Sequence, residues 1–210
     1  MPDHQQRPTT PIRAVLFDLL GVLLRKPTMS GRQQWEERLG MVPGGLAKAF
    51  TLAEDRVYAH LGHAPEAEVW QQMAQDFGLD AAQLRELQLD YWAGEGLDAA
   101  LVRLVGQLHQ RYKTAVISNL AASGREKVIG HYRLDDVLDL AVLSGEVGCA
   151  KPEERIFLLA AELLHLHPGE VLFIDDALEN VLGAQAIGMQ AIQFVTTEQL
   201  VAELQRLGLV

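Results

Sequence analysis

Polar residues that could handle a phosphate or a metal ion stand close to apolar runs at several separate places in this sequence. They are three acids, a hydroxyl, an amide and an amine: Asp18, Asp175, Asp176, Ser118, Asn119 and Lys151. Taken singly, the hydroxyl, the amide, the amine and Asp18 are most easily explained as turn, helix-cap or solvated surface residues. The adjacent acids Asp175 and Asp176 are less easily explained in this way, because they directly follow a buried apolar run. In an open parallel sheet, however, the carboxyl ends of the strands share one edge, and ligands bind in the crevice outside it. If the apolar runs are strands of such a sheet, these side chains meet despite their separation in sequence.

Such a meeting would give the residues a definite chemistry. Carboxylates about 4 Å apart repel each other by about 4 kcal/mol per pair at an effective dielectric constant near 20. A hard divalent cation relieves that repulsion, and oxygen ligands without a nearby His or Cys favour Mg²⁺, which shares its shell with waters and phosphate. Lys151 and Ser118 would then serve the phosphate as a point cation and a hydroxyl donor.

The elements that must position these residues can be predicted from the hydrophobic pattern. Short apolar runs typical of buried strands occupy Ala14–Phe17, Thr114–Ile117, Leu138–Leu143, Val171–Ile174 and Gln190–Val195. Apolar residues of helical spacing precede several of them, at Leu101–Leu108 after the candidate N-cap Asp98, at Ile156–Leu163 and at Val181–Ile187. This alternation predicts an α/β fold with a parallel sheet covered by helices on both faces.

The interval 26–96 breaks the alternation. It holds helical stripes in succession, at Leu46–Val57, Val69–Phe77 and Leu84–Tyr91, the last opened by Asp80. We therefore predict a helical insert at 26–96, a core domain formed by 12–25 and 97–210, and a flexible N-terminal tail at 1–11. The insert's aromatic residues Trp35, Trp70, Tyr91 and Trp92 are expected in its core, with contact to substrate as the alternative.

Composition excludes several classes of protein. The 210 residues are 49% apolar and 22% charged, as in ordinary globular chains. A net charge of −10 without a basic stripe argues against a nucleic-acid partner, and no apolar run reaches the roughly 18 residues that span a bilayer. The single cysteine, Cys149, gives no sign of a disulfide framework, so we expect a cytoplasmic protein. We expect the protein to be a monomer or a homodimer.

Four segments of the sequence resemble, in order, the motifs of the haloacid dehalogenase-like (HAD) superfamily. They are Phe17–Leu23 (FDLLGVL), Val116–Asn119 (VISN), Gly148–Phe157 (GCAKPEERIF) and Phe173–Asn180 (FIDDALEN). The resemblance covers about Ile12 to Val195. It implies a Rossmann-like, doubly wound core with a small helical cap of the C1 type inserted after the first motif, which matches the predicted insert.

The resemblance also implies roles for the residues. Asp18 would be the nucleophile of a Mg²⁺-dependent phosphatase and would carry an aspartyl-phosphate. Ser118 and Lys151 would bind the transferring phosphoryl group, with the amide of Asn119 nearby. Asp175 and Asp176 would hold Mg²⁺ together with Asp18 and the backbone carbonyl of Leu20. The expected substrate is a small phosphorylated metabolite such as a sugar phosphate.

Leu20 departs from the family pattern. Phosphatases of this family commonly carry a second Asp at that position, which protonates the leaving group and later activates water. Proton transfer by a placed side chain typically accelerates a reaction about 10²–10⁴-fold. Another group must therefore transfer the proton, or the reaction must not need it. A cap residue could substitute, with His60, His63 and Glu95 as candidates, or the enzyme could act on esters whose leaving group needs little protonation.

The leucine at position 20 is also compatible with two other functions. Asp18 could attack carbon, as in the metal-independent 2-haloacid dehalogenases, which also lack the second Asp; the adjacent acids Asp175 and Asp176 argue against this because carbon attack needs no metal. Alternatively, the protein could be a weakly catalytic module that binds a phosphorylated ligand. The intact acids and Lys151 argue against that function, because an unused site has no need of a costly acidic cluster.

Overall fold

The computed structural model describes residues 10–25, 30–121 and 124–210. Most of the predicted N-terminal tail and the predicted start of the insert at residue 26 lie outside this described part. The strands, in chain order, are β1 (Ala14–Phe17), β2 (Leu24–Arg25), β3 (Gly96–Leu97), β4 (Lys113–Ser118), β5 (Leu140–Leu143), β6 (Val171–Asp175) and β7 (Gln190–Gln193). The helices are α1 (Ser30–Arg38), α2 (Gly45–Val57), α3 (Glu66–Phe77), α4 (Ala81–Trp92), α5 (Ala99–His109), α6 (Ser144–Val147), α7 (Glu154–Leu163), α8 (Leu178–Ala186) and α9 (Thr197–Arg206).

The core is a five-stranded parallel sheet in the order β5-β4-β1-β6-β7. Its central strand β1 is fully buried, and successive side chains point to opposite faces. Phe17 packs into a cluster with residues of α5 and α9, such as Leu101 and Leu200, whereas Leu16 packs into a second cluster with α7 and α8. The predicted α/β fold with helices on both faces of a parallel sheet is confirmed.

Helices α1 to α4 lie between the first and second strands of this sheet and have a hydrophobic cluster of their own. Its largest members include Trp35, Trp70 and Tyr91, which are 1%, 4% and 4% exposed, as expected for core aromatics. The segment is joined to the sheet through β2 and β3, which pair as a short antiparallel ladder that the hydrophobic pattern did not indicate. The division of the chain into core and cap at 26 and 96 stays a prediction.

Two predicted helix starts are present as hydrogen-bonded caps. The Asp98 carboxylate accepts from the backbone amides of Ala100 and Leu101 at 2.9 and 3.1 Å, which begins α5. Asp80 begins α4 in a capping box with Gln83. Among the described residues, no helix is long and apolar enough to cross a bilayer.

Candidate active site

The site lies where three neighbouring strands end. Phe17 at the end of β1 is in register with Val116 of β4 on one side and with Ile174 of β6 on the other. The Asp18 amide continues this pairing by donating to the carbonyl of Ile174 at 2.7 Å. Because the strands are parallel, the polar residues that end them lie along one edge of the sheet, as the sequence predicted.

Lys151 is buried and forms ion pairs with two of the three acids. Its ammonium Nζ donates to Asp18 Oδ1 and to Asp175 Oδ2, each at 2.6 Å, and its side chain is only 2% exposed. The backbone of Lys151 is held in turn by the side chain of Asn119, which donates to the Lys151 carbonyl and accepts from its amide, both at 2.8 Å. The Asn119 side chain therefore positions Lys151.

Asp175 is fixed by a residue to which the sequence analysis gave no role. The Asn180 side-chain amide donates to both carboxylate oxygens of Asp175, at 3.0 and 3.1 Å, and the Ala177 amide donates to Oδ1 at 2.8 Å. Asn180 lies in α8, directly after β6, and is 8% exposed. An asparagine in the first turn of a helix is too common a signal to have singled it out.

The three acids form a cluster with the character of a metal site. One oxygen from each of Asp18, Asp175 and Asp176 can be chosen so that all lie within 4.8 Å of one another. Three carboxylates and the single ammonium of Lys151 leave two negative charges uncompensated, which matches a divalent cation. Gly21, at φ +94°, closes one side of this cluster, and a Cβ there would overlap Oδ2 of Asp176.

The surroundings shift the proton equilibria of the site. Burial raises the pKa of Asp18 to about 6, and the charge of Asp175 adds to this shift against the attraction of Lys151. For Lys151, burial favours the neutral amine, but Asp18 and Asp175 together outweigh it and raise the pKa of the amine. Burial and the neighbouring Asp175 also raise the pKa of Asp176. At neutral pH Lys151 is therefore a cation.

Ser118, the last residue of β4, is completely buried, and within the described part of the chain its hydroxyl Oγ has no hydrogen-bond partner. Buried hydroxyls in folded proteins are normally paired. An unpaired one beside an acidic cluster fits a group that acts on a bound ligand.

A cleft separates the acidic edge of the sheet from the helices above it. It has a volume of about 680 Å³, and its core side includes Leu20, Gly21, Asn119 and Asp176. On the side of the helices it is lined by Arg32, Phe50, Glu54, Tyr91, Trp92 and Glu95, among others. The site therefore opens into a space large enough for a small-molecule ligand.

The candidates to replace an acid at position 20 differ in their relation to this cleft. Glu95 lines it, whereas His60 and His63 are absent from its described lining. His60 Nδ1 lies 3.5 Å from Asp55 Oδ1, and the His63 ring lies 5.8 Å from that of Tyr58. Glu54 also lines the cleft, and the sequence analysis did not single it out.

The chain is similar to known proteins in sequence and in fold. A phosphatase from Mycobacterium tuberculosis is 29% identical over 195 residues, which cover 86% of each chain. A HAD family enzyme from Bacteroides thetaiotaomicron, solved with magnesium and inorganic phosphate, has a TM-score of 0.70 at 21% identity, covering 89% of this chain and 96% of that one. The L-2-haloacid dehalogenase of Xanthobacter autotrophicus has a TM-score of 0.64 at 21% identity, covering 93% and 83%.

The two solved structures show that the fold is shared. The family assignment rests on the model of the haloacid dehalogenase-like hydrolases, which matches residues 12–188 and so includes all four sequence motifs. The chain belongs to the family of haloacid dehalogenase-like hydrolases.

Proposed function

We propose that the protein is a Mg²⁺-dependent phosphatase that hydrolyses a small phosphomonoester through an aspartyl-phosphate on Asp18. The observation that carries the proposal is the cluster in which Lys151 bridges the buried Asp18 and Asp175 beside the exposed Asp176. Its two uncompensated negative charges suit a divalent cation, and its ammonium suits a phosphoryl group. The similarity to the Mycobacterium tuberculosis phosphatase supports the same reaction, and the Bacteroides thetaiotaomicron enzyme was solved with magnesium and phosphate.

In this proposal the chain's own residues position the reacting atoms. A carboxylate oxygen of Asp18 attacks phosphorus and the bond from phosphorus to the ester oxygen breaks. The ester oxygen leaves with the bonding electrons as an alkoxide or phenoxide, which takes a proton from water. Lys151 and the Ser118 hydroxyl stabilise the charge on the phosphoryl oxygens. Water then hydrolyses the aspartyl-phosphate and returns Asp18. Mg²⁺ held by Asp18, Asp175, Asp176 and the Leu20 carbonyl would neutralise charge on the phosphoryl group.

A second candidate function is dehalogenation by attack of Asp18 on carbon. Leu20 is compatible with this reaction, because it cannot protonate an alcohol and a leaving halide needs no proton. The acidic cluster favours phosphoryl transfer, since dehalogenation gives Asp175 and Asp176 no metal to hold. Halide release from a 2-haloacid in the presence of EDTA would favour the dehalogenase instead.

The test is hydrolysis of an aryl phosphate with Mg²⁺, with EDTA and with the variant Asp18→Asn. We expect activity with Mg²⁺, its loss in EDTA with recovery on adding Mg²⁺, and a loss of at least about 10³-fold in Asp18→Asn because the nucleophile is gone. Asp55→Asn, which changes an exposed acid outside the cluster, is the matched control and should keep full activity. Activity that survives both EDTA and Asp18→Asn would exclude the mechanism.

A further inference from the structure

A second chamber adjoins the cleft, away from the acidic cluster. Its volume is about 540 Å³, within the range of small-molecule pockets. Gly21 and Asp176 line only the cleft, whereas seven residues line both spaces: Leu20, Leu24, Glu66, Trp92, Glu95, Leu120 and Gly124. A ligand with its phosphate at the cluster can therefore extend its alcohol portion into this chamber.

The described lining of the second chamber is mainly apolar. Besides the shared leucines and Trp92 it includes Trp70 and Tyr132, with Ala67 at one wall. Its described polar side chains are Gln88, Glu95 and Glu66, which accepts a hydrogen bond from the Trp70 indole at 3.0 Å. The Tyr132 hydroxyl is also polar, and it donates to the Glu95 carbonyl at 3.4 Å. A sugar ring needs a hydrogen-bond partner for nearly every hydroxyl that it buries, whereas an aromatic ring needs only apolar and aromatic surface.

Leu20 leads to the same conclusion from the chemistry of the leaving group. It stands two residues after Asp18 and lines both spaces, at the passage between phosphate and alcohol. An aliphatic alcohol leaves as a strong base and depends on a proton donor there, but a phenol ionises near pH 10, as tyrosine does, and can leave without one. Leu20 provides instead an alkyl contact for an apolar leaving group.

We propose, on the basis of the function proposed above, that the site selects phosphomonoesters of apolar aromatic alcohols, whose ring system occupies the second chamber against Leu20, Leu120 and Trp92. The mainly apolar lining of the chamber selects against sugar phosphates, and Leu20 supplies no proton to an alkyl leaving group. The passage at Leu20 thus determines specificity for the alcohol.

The experiment compares 2-naphthyl phosphate, phenyl phosphate and glucose 6-phosphate with Mg²⁺. The two aryl esters have leaving groups of similar acidity, so the ratio of their kcat/KM values reports on contact with the second ring. Burial of that ring should make the ratio about tenfold or greater. Glucose 6-phosphate should be the poorest of the three substrates.

Variants at the chamber wall test where the ring binds. Ala67→Asp places a charge at a wall position that lines the second chamber and not the cleft. It should bring the naphthyl-to-phenyl ratio towards one, because the added charge opposes burial of the larger ring system more strongly than that of the single ring. Gln88→Leu should raise the ratio. Ala82→Asp, at an exposed helical alanine outside the described lining of both spaces, is the matched control and should leave the ratio unchanged.

A binding measurement separates this inference from the proposed reaction. Asp18→Asn protein, titrated by calorimetry, should bind 2-naphthyl phosphate about tenfold more tightly than phenyl phosphate. Absence of turnover with this preference kept would refute the phosphatase and retain the apolar chamber. Turnover of all three esters with a ratio near one, or a preference for glucose 6-phosphate, would overturn the inference and retain the phosphatase.

Discussion

Lys151 organises the site because it lies between two buried carboxylates that would otherwise face each other unscreened. A lysine can occupy such a position only when its ammonium is paired, and here Asp18 and Asp175 each accept from it at 2.6 Å. The third acid, Asp176, has no such contact with Lys151 among the described hydrogen bonds. A cation bound by the cluster would therefore gain most from Asp176, and the position of that carboxylate should control metal affinity.

Gly21 allows a direct test of this point. A Cβ at this residue would overlap Oδ2 of Asp176, so Gly21→Ala must displace the carboxylate. We expect Gly21→Ala to raise the Mg²⁺ concentration for half-maximal activity by about tenfold or more, since a misplaced carboxylate forfeits much of its charge interaction with the ion. Isothermal calorimetry with Mg²⁺ alone checks the same shift without turnover.

The strain of a left-handed alanine has to be separated from the clash. Gly188, at φ +89°, would meet no atom within 4 Å on gaining a Cβ, whereas Gly21, at φ +94°, meets Asp176. Gly188→Ala should therefore lower stability through its backbone without changing Mg²⁺ affinity. Equal metal affinities for the two variants would show that Gly21 does not hold Asp176 in place.

Among the elements, α5 connects the helical segment to the sheet, and its first turn depends on one side chain. Asp98 caps α5, and its other carboxylate oxygen, Oδ2, accepts from Arg25 of β2 at 3.1 Å. Asp98→Ala removes the cap, the contact with Arg25 and the hydrogen bond from the Thr197 hydroxyl at 3.4 Å. It should lower the free energy of unfolding by about 1 kcal/mol, the usual cost of a lost N-cap. Chemical denaturation measures this difference.

The charge and the cap at position 98 can be distinguished. Asparagine caps helices about as well as aspartate, so Asp98→Asn keeps the cap. It loses the contacts made by Oδ2, which are the ion pair with Arg25 and a long hydrogen bond of 3.4 Å from the Thr197 hydroxyl. That pair is partly exposed, with side-chain exposures of 41% and 20%, so its loss should cost much less than the loss of the cap. Equal destabilisation by Asp98→Asn and Asp98→Ala would contradict the assignment of stability to the cap.

Elements with a clear hydrophobic pattern could be predicted from the sequence. Elements that form only through tertiary contacts could not. The strand prediction Ala14–Phe17 matches β1, because four consecutive apolar residues before an acid leave few alternatives. The ladder between β2 and β3 has two residues per strand, too short for any period, and only the return of the chain from α4 brings Leu24 and Leu97 together. Helix α9 was also missed, although its hydroxyl cap Thr196 and buried Leu200 and Leu204 carry a helical signal.

The same distinction holds for the site. The meeting of Asp18 and Asp175, with Lys151 beside them, followed from the rule that the strands of a parallel sheet end at one edge. The hydrogen bonds of Asn119 to Lys151, and of Asn180 to Asp175, depend on side-chain direction after the strands end. The sequence predicts Asn119 near the phosphoryl group, but no spacing encodes side-chain direction. Its hydrogen bonds to Lys151 and the role of Asn180 therefore emerged only from the structure.

At the scale of the whole molecule, charge works against an anionic substrate. The chain carries a net charge of −10, the acidic cluster is negative without a cation, and Glu54, Glu66 and Glu95 all line the cleft. A phosphate ester approaching this field is repelled, so a bound divalent cation serves the encounter as well as the chemistry. The same acidity affects folding through the acids that the cleft partly buries.

Glu54 shows how strongly one of these acids is affected. Burial, with the charges of Asp55 and Glu66, raises its pKa from 4.5 to about 7. The folded protein thus binds a proton that the unfolded chain releases between these pH values, so the stability associated with protonated Glu54 is present below pH 4.5 and is lost as pH rises to about 7. Glu54→Gln should match the parent at about pH 4.5 and exceed its free energy of unfolding at pH 8 by up to about 3 kcal/mol. Urea denaturation at the two pH values measures the change, and Glu37→Gln, at an exposed glutamate, serves as control. A stability difference that is the same at both pH values would mean that Glu54 ionises as easily in the folded protein as in the unfolded chain.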